Sequence, residues 1–183
     1  VTDGWLTRLL RAIRNDSTLG MVGPVSNFVS GPQQINVPYG WTIGSPEWLS
    51  GSISEFMTKW GSAVHEFARA WGEANVGRIV AVDRLVGFCL LIRREVIDRI
   101  GLFDERFGIG NFEDDDLCRR ARDAGYKLAI ATDSFVHHFG GRTFFGAKVD
   151  HGTLMRRNEE LYREKWGNGQ APRVEGRGPE EEG

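Results

Sequence analysis

The sequence has little cysteine, little net charge and no long apolar run, and each shortage excludes a class of protein. Cys89 and Cys118 are the only cysteines among 183 residues, and their spacing fits neither a metal-binding motif nor a disulfide framework. With so little cysteine, a reducing cytoplasm is the predicted location. A formal net charge of −2 gives no general attraction to nucleic acid. No stretch of about eighteen apolar residues is present, so no transmembrane helix is predicted.

The composition predicts one globular domain, since 40% of the residues are hydrophobic and 26% are charged. The sequence starts at Val1 and runs directly into a helical pattern, so we expect an excerpt of a larger protein. From Gly167 onward, glycine, proline and glutamate predominate. Such a stretch has too few apolar residues to pack, and a disordered tail is predicted over residues 167–183.

Hydrophobic periodicity predicts alternating helices and strands. Helices are expected over residues 5–13 (capped by Asp3), 53–71, 93–100, 113–124 and 150–166, and strands over 19–22, 85–92, 126–131 and 135–139. Gly23-Pro24 is expected to end the first strand, and the apolar run 85–92 is typical of a strand covered on both faces. Residues 26–50 are predicted to form a long loop. The alternation indicates an α/β domain with a mixed sheet flanked by helices.

The predicted helix 53–71 carries an apolar stripe that includes Phe56, Trp60, Val64 and Trp71. Packing of this stripe against the body of the domain is the expected explanation. A partner protein or a membrane surface is the alternative, because tryptophan suits both.

Four consecutive acids, residues 113–116, open a predicted helix directly after a glycine-rich stretch. Ordinary helix chemistry explains part of this cluster, because acids in a first turn suit the positive end of the helix dipole and Asn111 can serve as N-cap. Ion pairs to residues four positions later, Arg119 and Arg120, account for Asp115 and Asp116. Both acids are therefore left out of the predicted site.

Asp114 is not explained by these pairs. On a helix it shares a face with Leu117 and Ala121, the side that is expected to pack inward. A carboxylate at the inward tip of a helix, beside a glycine-containing loop, lies where a site can form. Asp114 is therefore the main candidate for a functional side chain, and Glu113 is the second.

Several segments resemble the family 2 glycosyltransferases, which have the GT-A fold. The stretches GFCLLIRREV (87–96) and IGLFDERF (100–107) are similar to the centre of that family. Glu113-Asp114, followed by DLCR (116–119) and GYK (125–127), resembles its Glu-Asp motif and the helix that follows. The stretch GMVGPVSN (20–27) resembles the segment just after the family's metal-binding Asp-x-Asp, and KWG (165–167) resembles a recurrent ending. The similarity covers residues 1–166.

The resemblance implies transfer of a sugar, of the hexosyl type, from a nucleoside-diphosphate sugar to an acceptor hydroxyl with inversion. Asp114 would be the general base, and Glu113, Asn111, Gly87 and Phe88 would contact the acceptor. A carbohydrate, a lipid-linked molecule or a protein could be that acceptor, in the synthesis of a bacterial polysaccharide or glycoconjugate. Peripheral contact with the inner face of a membrane is compatible with these acceptors.

The resemblance also implies a divalent metal, Mn²⁺ or Mg²⁺, and a closing loop. His138, at the end of the last predicted strand, matches the family's metal-binding histidine, with His137 in reserve because strand alternation points the two rings to opposite faces. Arg142 lies in a glycine-containing loop, residues 140–146, that could close over the donor diphosphate. Lys148, which follows this loop, can equally be a solvated surface charge.

One departure from the family is large. No Asp-x-Asp precedes Trp5, and the N-terminal nucleotide-binding βαβ units of the GT-A fold are missing, so residues 1–166 are predicted to be the C-terminal, acceptor-binding part of the domain, with the N-terminal half as their partner. Two alternatives stay open. One is a non-catalytic module that binds carbohydrate or a protein, and the other is a metal-dependent hydrolase that uses residues 113–116, Asp133 and the histidines.

Overall fold

The structure is a computed structural model that describes residues 1–40, 51–140 and 150–167. The described elements are α1 (Trp5–Asn15), β1 (Leu19–Val25), α2 (Ile53–Ala74), β2 (Ile79–Val82), β3 (Leu91–Ile92), α3 (Arg94–Ile100), α4 (Glu113–Asp123), β4 (Lys127–Phe135) and α5 (His151–Trp166), with 3-10 turns at Gly31–Gln33 and Glu105–Phe107. A mixed α/β fold flanked by helices was predicted, and the structure confirms it. None of the helices described is long and apolar enough to cross a membrane.

The four strands form one mixed sheet in the order β2-β4-β1-β3. The central pair, β1 and β4, is parallel, while β2 and β3 pair with them in the antiparallel sense. Successive side chains of β4 point to opposite faces, so Leu128 and Ile130 enter the core that contains α2 and α4, whereas Ala129 and Ala131 pack against α1. Because both faces of the sheet are covered, β1 and residues 128–131 of β4 are apolar, whereas the end of β4 carries the polar residues Thr132, Asp133 and Ser134.

Two predicted strand boundaries are wrong. β1 does not stop at Gly23-Pro24 but continues to Val25, because Pro24 stays in register with Ala131 and its carbonyl oxygen accepts a hydrogen bond from Gln33 Nε2 at 2.8 Å. The strand predicted over 126–131 continues without a break to Phe135 as β4, which pairs with β1. The separate strand predicted over 135–139 is wrong, because only Phe135 of that range belongs to a strand.

The apolar run 85–92 was predicted to be a strand, but only Leu91–Ile92 is one. The backbone N–H groups that precede it bind side chains of other elements: Leu85 N–H donates to Cys118 Sγ and Val86 N–H to Gln33 Oε1. Leu85 is fully buried, so the apolar character of the run reflects a packed turn. The strand that precedes this run, β2, was not predicted, although its four residues are all apolar.

Both predicted helix caps are also wrong. Gly4, with φ of 73°, precedes α1 in place of Asp3. At α4 the N-cap is Phe112, and both Asn111 (φ 68°) and Phe112 (φ 71°) are left-handed. Two consecutive non-glycine residues in this region bend the chain sharply and place Glu113 at the first position of the helix.

The apolar stripe of α2 packs against the domain, as expected. Phe56, Val64 and Ala68 are buried, and Trp71 Nε1 donates to the Thr132 carbonyl oxygen of β4 at 2.7 Å. The first turn of α2 differs, because Ile53 is exposed.

α5 fastens the start of α4 through Asp116, whose side chain is fully buried. The Asp116 carboxylate accepts hydrogen bonds from Arg120 Nε and Trp166 Nε1, each at 2.8 Å, and Lys165 Nζ lies 2.7 Å from it. The predicted pair with Arg120 is therefore present, but it is one of three contacts. Asn158 of the same helix donates to the carbonyl oxygens that precede α4, those of Phe107, Gly110 and Asn111.

We expect Asp116→Asn to lower the free energy of unfolding by about 3 kcal/mol, because the change leaves Arg120 and Lys165 without their shared buried carboxylate. Urea denaturation followed by circular dichroism measures this. Asp123→Asn, the same change at the exposed end of α4, is the control and is expected to cost less than about 1 kcal/mol. Equal stability of the two variants would contradict the role given to Asp116.

Candidate active site

A cavity of about 470 Å³ lies at the N-terminal end of α4, between the loop that follows β1 and the turn that follows β2. Its wall contains every predicted site residue that the structure describes, namely Gly87, Phe88, Asn111, Glu113, Asp114 and His138. The remaining one, Arg142, lies outside the described residues, as do Lys148, residues 41–50 of the predicted loop and residues 168–183 of the predicted tail.

Asp114 points inward, as predicted, and backbone donors fix both of its oxygens. Oδ2 accepts the Gly87 N–H at 2.7 Å, and Oδ1 accepts the N–H of Asp115 at 2.9 Å. Glycine at residue 87 lets the turn approach the carboxylate closely, since an added Cβ would lie only 3.1 Å from Asp114 Cβ. A carboxylate has about four acceptor positions, so these two contacts hold its orientation while leaving capacity for a further donor.

Glu113 and Asp115, on either side of Asp114, also line the cavity. Burial, followed by repulsion from Asp114, raises the pKa of Glu113 to about 7. The same two causes raise the pKa of Asp115 to about 6, although the nearby Arg84 opposes them. The side chains of three adjacent acids therefore meet at one wall, and two of them bind protons more tightly than free carboxyl groups do.

Asp115 was excluded from the site on the basis of a predicted pair with Arg119, and that pair is wrong. Asp115 forms an ion pair with Arg84, whereas Arg119 pairs with Asp123 at 3.5 Å. Both acids excluded by the sequence analysis are buried, and Asp115 belongs to the cavity wall. Arg84 was missed, although a lone cation just before a long apolar run was a visible signal.

His138 lies on the cavity wall beside Phe88, with 5.2 Å between the ring centroids. Its Nδ1 is 2.6 Å from the Phe28 carbonyl oxygen, so Nδ1 carries the proton and Nε2 is the ring's acceptor atom. Asn27, which had no assigned role, accepts the His138 N–H at 2.8 Å and donates to the His138 carbonyl oxygen at 3.1 Å. The contacts with Phe28 and Asn27 therefore fix the orientation of the His138 ring on the cavity wall.

His137 faces the other way, into a cluster of aromatic rings. Its ring centroid lies 4.7 Å from that of Phe56 and 4.7 Å from that of Phe139. Burial lowers the pKa of His137 to about 4, so the ring is neutral in this apolar surrounding. His137 is a core residue, and the reserve role given to it by the sequence analysis has no place in the cavity.

The residues described do not form a metal site by themselves. Nowhere in residues 1–40, 51–140 and 150–167 are three or more His, Cys, Asp or Glu side chains arranged to hold a metal ion. His138 offers a single ligand atom. Asp133, which a hydrolase would require, lies elsewhere: it forms an ion pair with Arg11 and accepts the Gly77 N–H at 2.7 Å.

Glu113 also affects stability. Since its pKa is raised from 4.5 to about 7, the folded protein binds this proton more tightly than the unfolded chain, a contribution that is complete below about pH 4.5 and is lost as the pH rises through 7. Glutamine does not titrate, so Glu113→Gln removes this pH-dependent contribution to the free energy of unfolding. We expect the variant to gain about 1 kcal/mol relative to the wild type between pH 5 and pH 8, after allowance for solvent screening of a half-buried group. Denaturation with urea at both pH values measures the difference, and a constant difference would contradict the shift.

A family comparison places these residues in context. The sequence model of the family described as glycosyltransferase like family 2 matches residues 1–152, which include every predicted site residue. A comparison with the curated proteins found no match. Because the match spans most of the sequence, this chain belongs to the glycosyltransferase family 2-like proteins.

Proposed function

We propose that this chain supplies the acceptor side of a glycosyltransferase that moves a hexose from a nucleoside-diphosphate sugar to an acceptor hydroxyl with inversion. Asp114 is the general base. The observation that carries the proposal is the geometry of this carboxylate: it is buried, both of its oxygens are held by backbone N–H groups, and it lies on the wall of a 470 Å³ cavity.

In this reaction the acceptor hydroxyl donates a hydrogen bond to Asp114. As the hydroxyl oxygen attacks the anomeric carbon, Asp114 takes the proton, and the bond to the diphosphate breaks on the opposite face of the sugar. Attack from the opposite face inverts the configuration. The fixed orientation of the carboxylate lowers the entropic cost of this alignment.

The walls beside Asp114 suit a sugar acceptor. Phe88 and His138 provide an aromatic surface for the apolar face of a ring, and Phe28 extends it, with 6.1 Å between its centroid and that of His138. Glu113 Oε2 and Asn111 Nδ2 are buried polar atoms that have no hydrogen-bond partner within the described part of the chain. A carbohydrate hydroxyl can donate to the first and accept from the second.

Donor binding belongs to other parts of the protein in this proposal. The nucleotide would be held by an N-terminal half of the domain, and Arg142 would contact the diphosphate. His138 could contribute one ligand to Mn²⁺ or Mg²⁺, and a metal held there would neutralise charge on the leaving diphosphate. A cytoplasmic protein that meets a carbohydrate, lipid-linked or protein acceptor at the inner face of a membrane fits this arrangement.

Asp114→Asn is expected to reduce acceptor-dependent transfer by at least about a hundredfold, because asparagine keeps the shape but cannot take the proton. The full-length protein that contains this chain would be incubated with a panel of nucleotide sugars, Mn²⁺ and candidate acceptors, and release of nucleoside diphosphate would be followed. Asp123→Asn, at the exposed end of the same helix, is the matched control and is expected to stay within about twofold of the wild type. Full activity of Asp114→Asn would exclude this residue as the base, and no release with any donor would favour the non-catalytic binding module.

Glu113→Gln is expected to raise KM for the acceptor by about tenfold and to leave KM for the donor unchanged, because one charged hydrogen-bond acceptor in the acceptor pocket is lost. Initial rates with each substrate varied in turn measure both constants. An equal rise in the two values would show that Glu113 does not act on the acceptor alone.

A further inference from the structure

Arg84 begins the turn, residues 84–88, that lies between β2 and β3. Its Nη1 donates to Ser30 Oγ at 2.9 Å, and its Nε forms an ion pair with Asp115 Oδ1. One side chain therefore joins three parts of the cavity wall: the loop that follows β1, the turn 84–88, and the first turn of α4.

Two further residues of the turn 84–88 also bind side chains from other parts of the cavity wall. Val86 N–H donates to Gln33 Oε1 at 2.8 Å, and Gly87 N–H donates to Asp114 Oδ2 at 2.7 Å. Arg84 thus fixes the start of a turn whose other end orients the Asp114 carboxylate. A displacement of the turn changes the hydrogen bond that Asp114 receives.

The charge of Arg84 matters as well as its shape. Among the described residues that line the cavity, Arg84 is the one arginine or lysine, and it contacts the carboxylate of Asp115, which shares the cavity wall with Glu113 and Asp114. Neighbouring carboxylates in a partly buried site oppose each other's ionisation, and a proton held by one of them belongs to the group. A cation in contact with Asp115 opposes the binding of that proton.

We propose that Arg84 is a positioning residue that keeps the Asp115 carboxylate ionised at neutral pH and holds the turn 84–88 in place through Ser30. The proposal rests on the function proposed above, because it matters only if Asp114 must accept a proton. Arg84 does not itself contact the reacting atoms.

Other titratable groups near Asp115 do not take over this role. Those that interact with it or share its cavity are Glu113, Asp114 and Cys118 of α4, Tyr162 and His151 of α5, and His138. The carboxyl, thiol and phenol groups among them carry no positive charge in any state. Arg84, as an arginine, stays protonated throughout the neutral pH range and therefore supplies a permanent positive charge beside Asp115.

The test follows the Asp115 carboxyl group by carbon-13 NMR, in a chain labelled at the aspartate side-chain carboxyl, with the signal assigned from Asp115→Asn. No substrate is needed. In Arg84→Gln the midpoint of the Asp115 titration is expected to rise by at least about one pH unit above the wild-type value. Arg69→Gln, which removes an exposed cation paired with Glu73 on α2, is the control and is expected to leave the midpoint unchanged. An Asp115 midpoint in Arg84→Gln equal to that of the wild type overturns the proposal.

Arg84→Lys separates charge from shape and covers a failure of Arg84→Gln to fold. Lysine keeps the positive charge but lacks the planar fork that reaches Asp115 and Ser30 together. Its Asp115 midpoint is expected to lie within about 0.3 pH units of the wild type, whereas kcat in the transfer assay is expected to fall by about fivefold. An Asp115 midpoint raised by a full pH unit in Arg84→Lys contradicts the role of the Arg84 charge. An unchanged kcat contradicts the role of Arg84 in positioning the turn 84–88.

The pH dependence of transfer distinguishes this role from simple stabilisation of the fold. Arg84→Gln is expected to lose about tenfold in kcat/KM at pH 6.5 and less at pH 8.5, because a higher pH removes the extra proton. A loss that is equal at both pH values shows a structural role only and overturns the proposal. If the wild type transfers no sugar, the function proposed above fails, while the NMR titration still decides whether Arg84 controls Asp115.

Discussion

The buried carboxylate of Asp116 is the contact on which the rest of the cavity depends. Arg120, Lys165 and Trp166 converge on it, so α4 and α5 are joined at the first turn of α4. A buried carboxylate with three donors is stable only in one geometry, because any shift leaves charge without a partner in a poorly solvated place. These contacts also fix the positions of Glu113 and Asp114, three and two residues before Asp116.

The four acids of the first turn of α4, residues 113–116, differ in the groups that they contact. Asp116 is held by three side chains, Asp115 by Arg84, and Asp114 by two backbone N–H groups, whereas Glu113 Oε2 has no partner in the residues described. Structural constraint therefore decreases toward the cavity. The positive end of the α4 dipole supports all four, but only the two acids with freely available acceptor positions are suited to bind a substrate.

The sequence predicted the features that depend on local pattern, and it failed where tertiary contacts decide. The helix that begins at Glu113 and the inward direction of Asp114 follow from periodicity and are confirmed. The pair between Asp115 and Arg119 follows from the same rule and is wrong, because Arg84 arrives from a distant turn. Likewise, the run 85–92 has the apolar composition of a strand, and no local signal shows that its N–H groups bind Cys118 and Gln33 instead of a neighbouring strand.

The features that local sequence preferences do not favour are found at one place in the structure. The turn 84–88, the left-handed pair Asn111 and Phe112, and the unpartnered atoms of Asn111 and Glu113 all lie at the same cavity. Each costs stability, and the surrounding contacts, above all those of Asn158 and Asp116, maintain them against that cost. In natural proteins such conflicts between local preference and global structure concentrate where function requires a specific geometry. Their concentration around Asp114 is therefore an argument for this cavity as the active site that is independent of the family match.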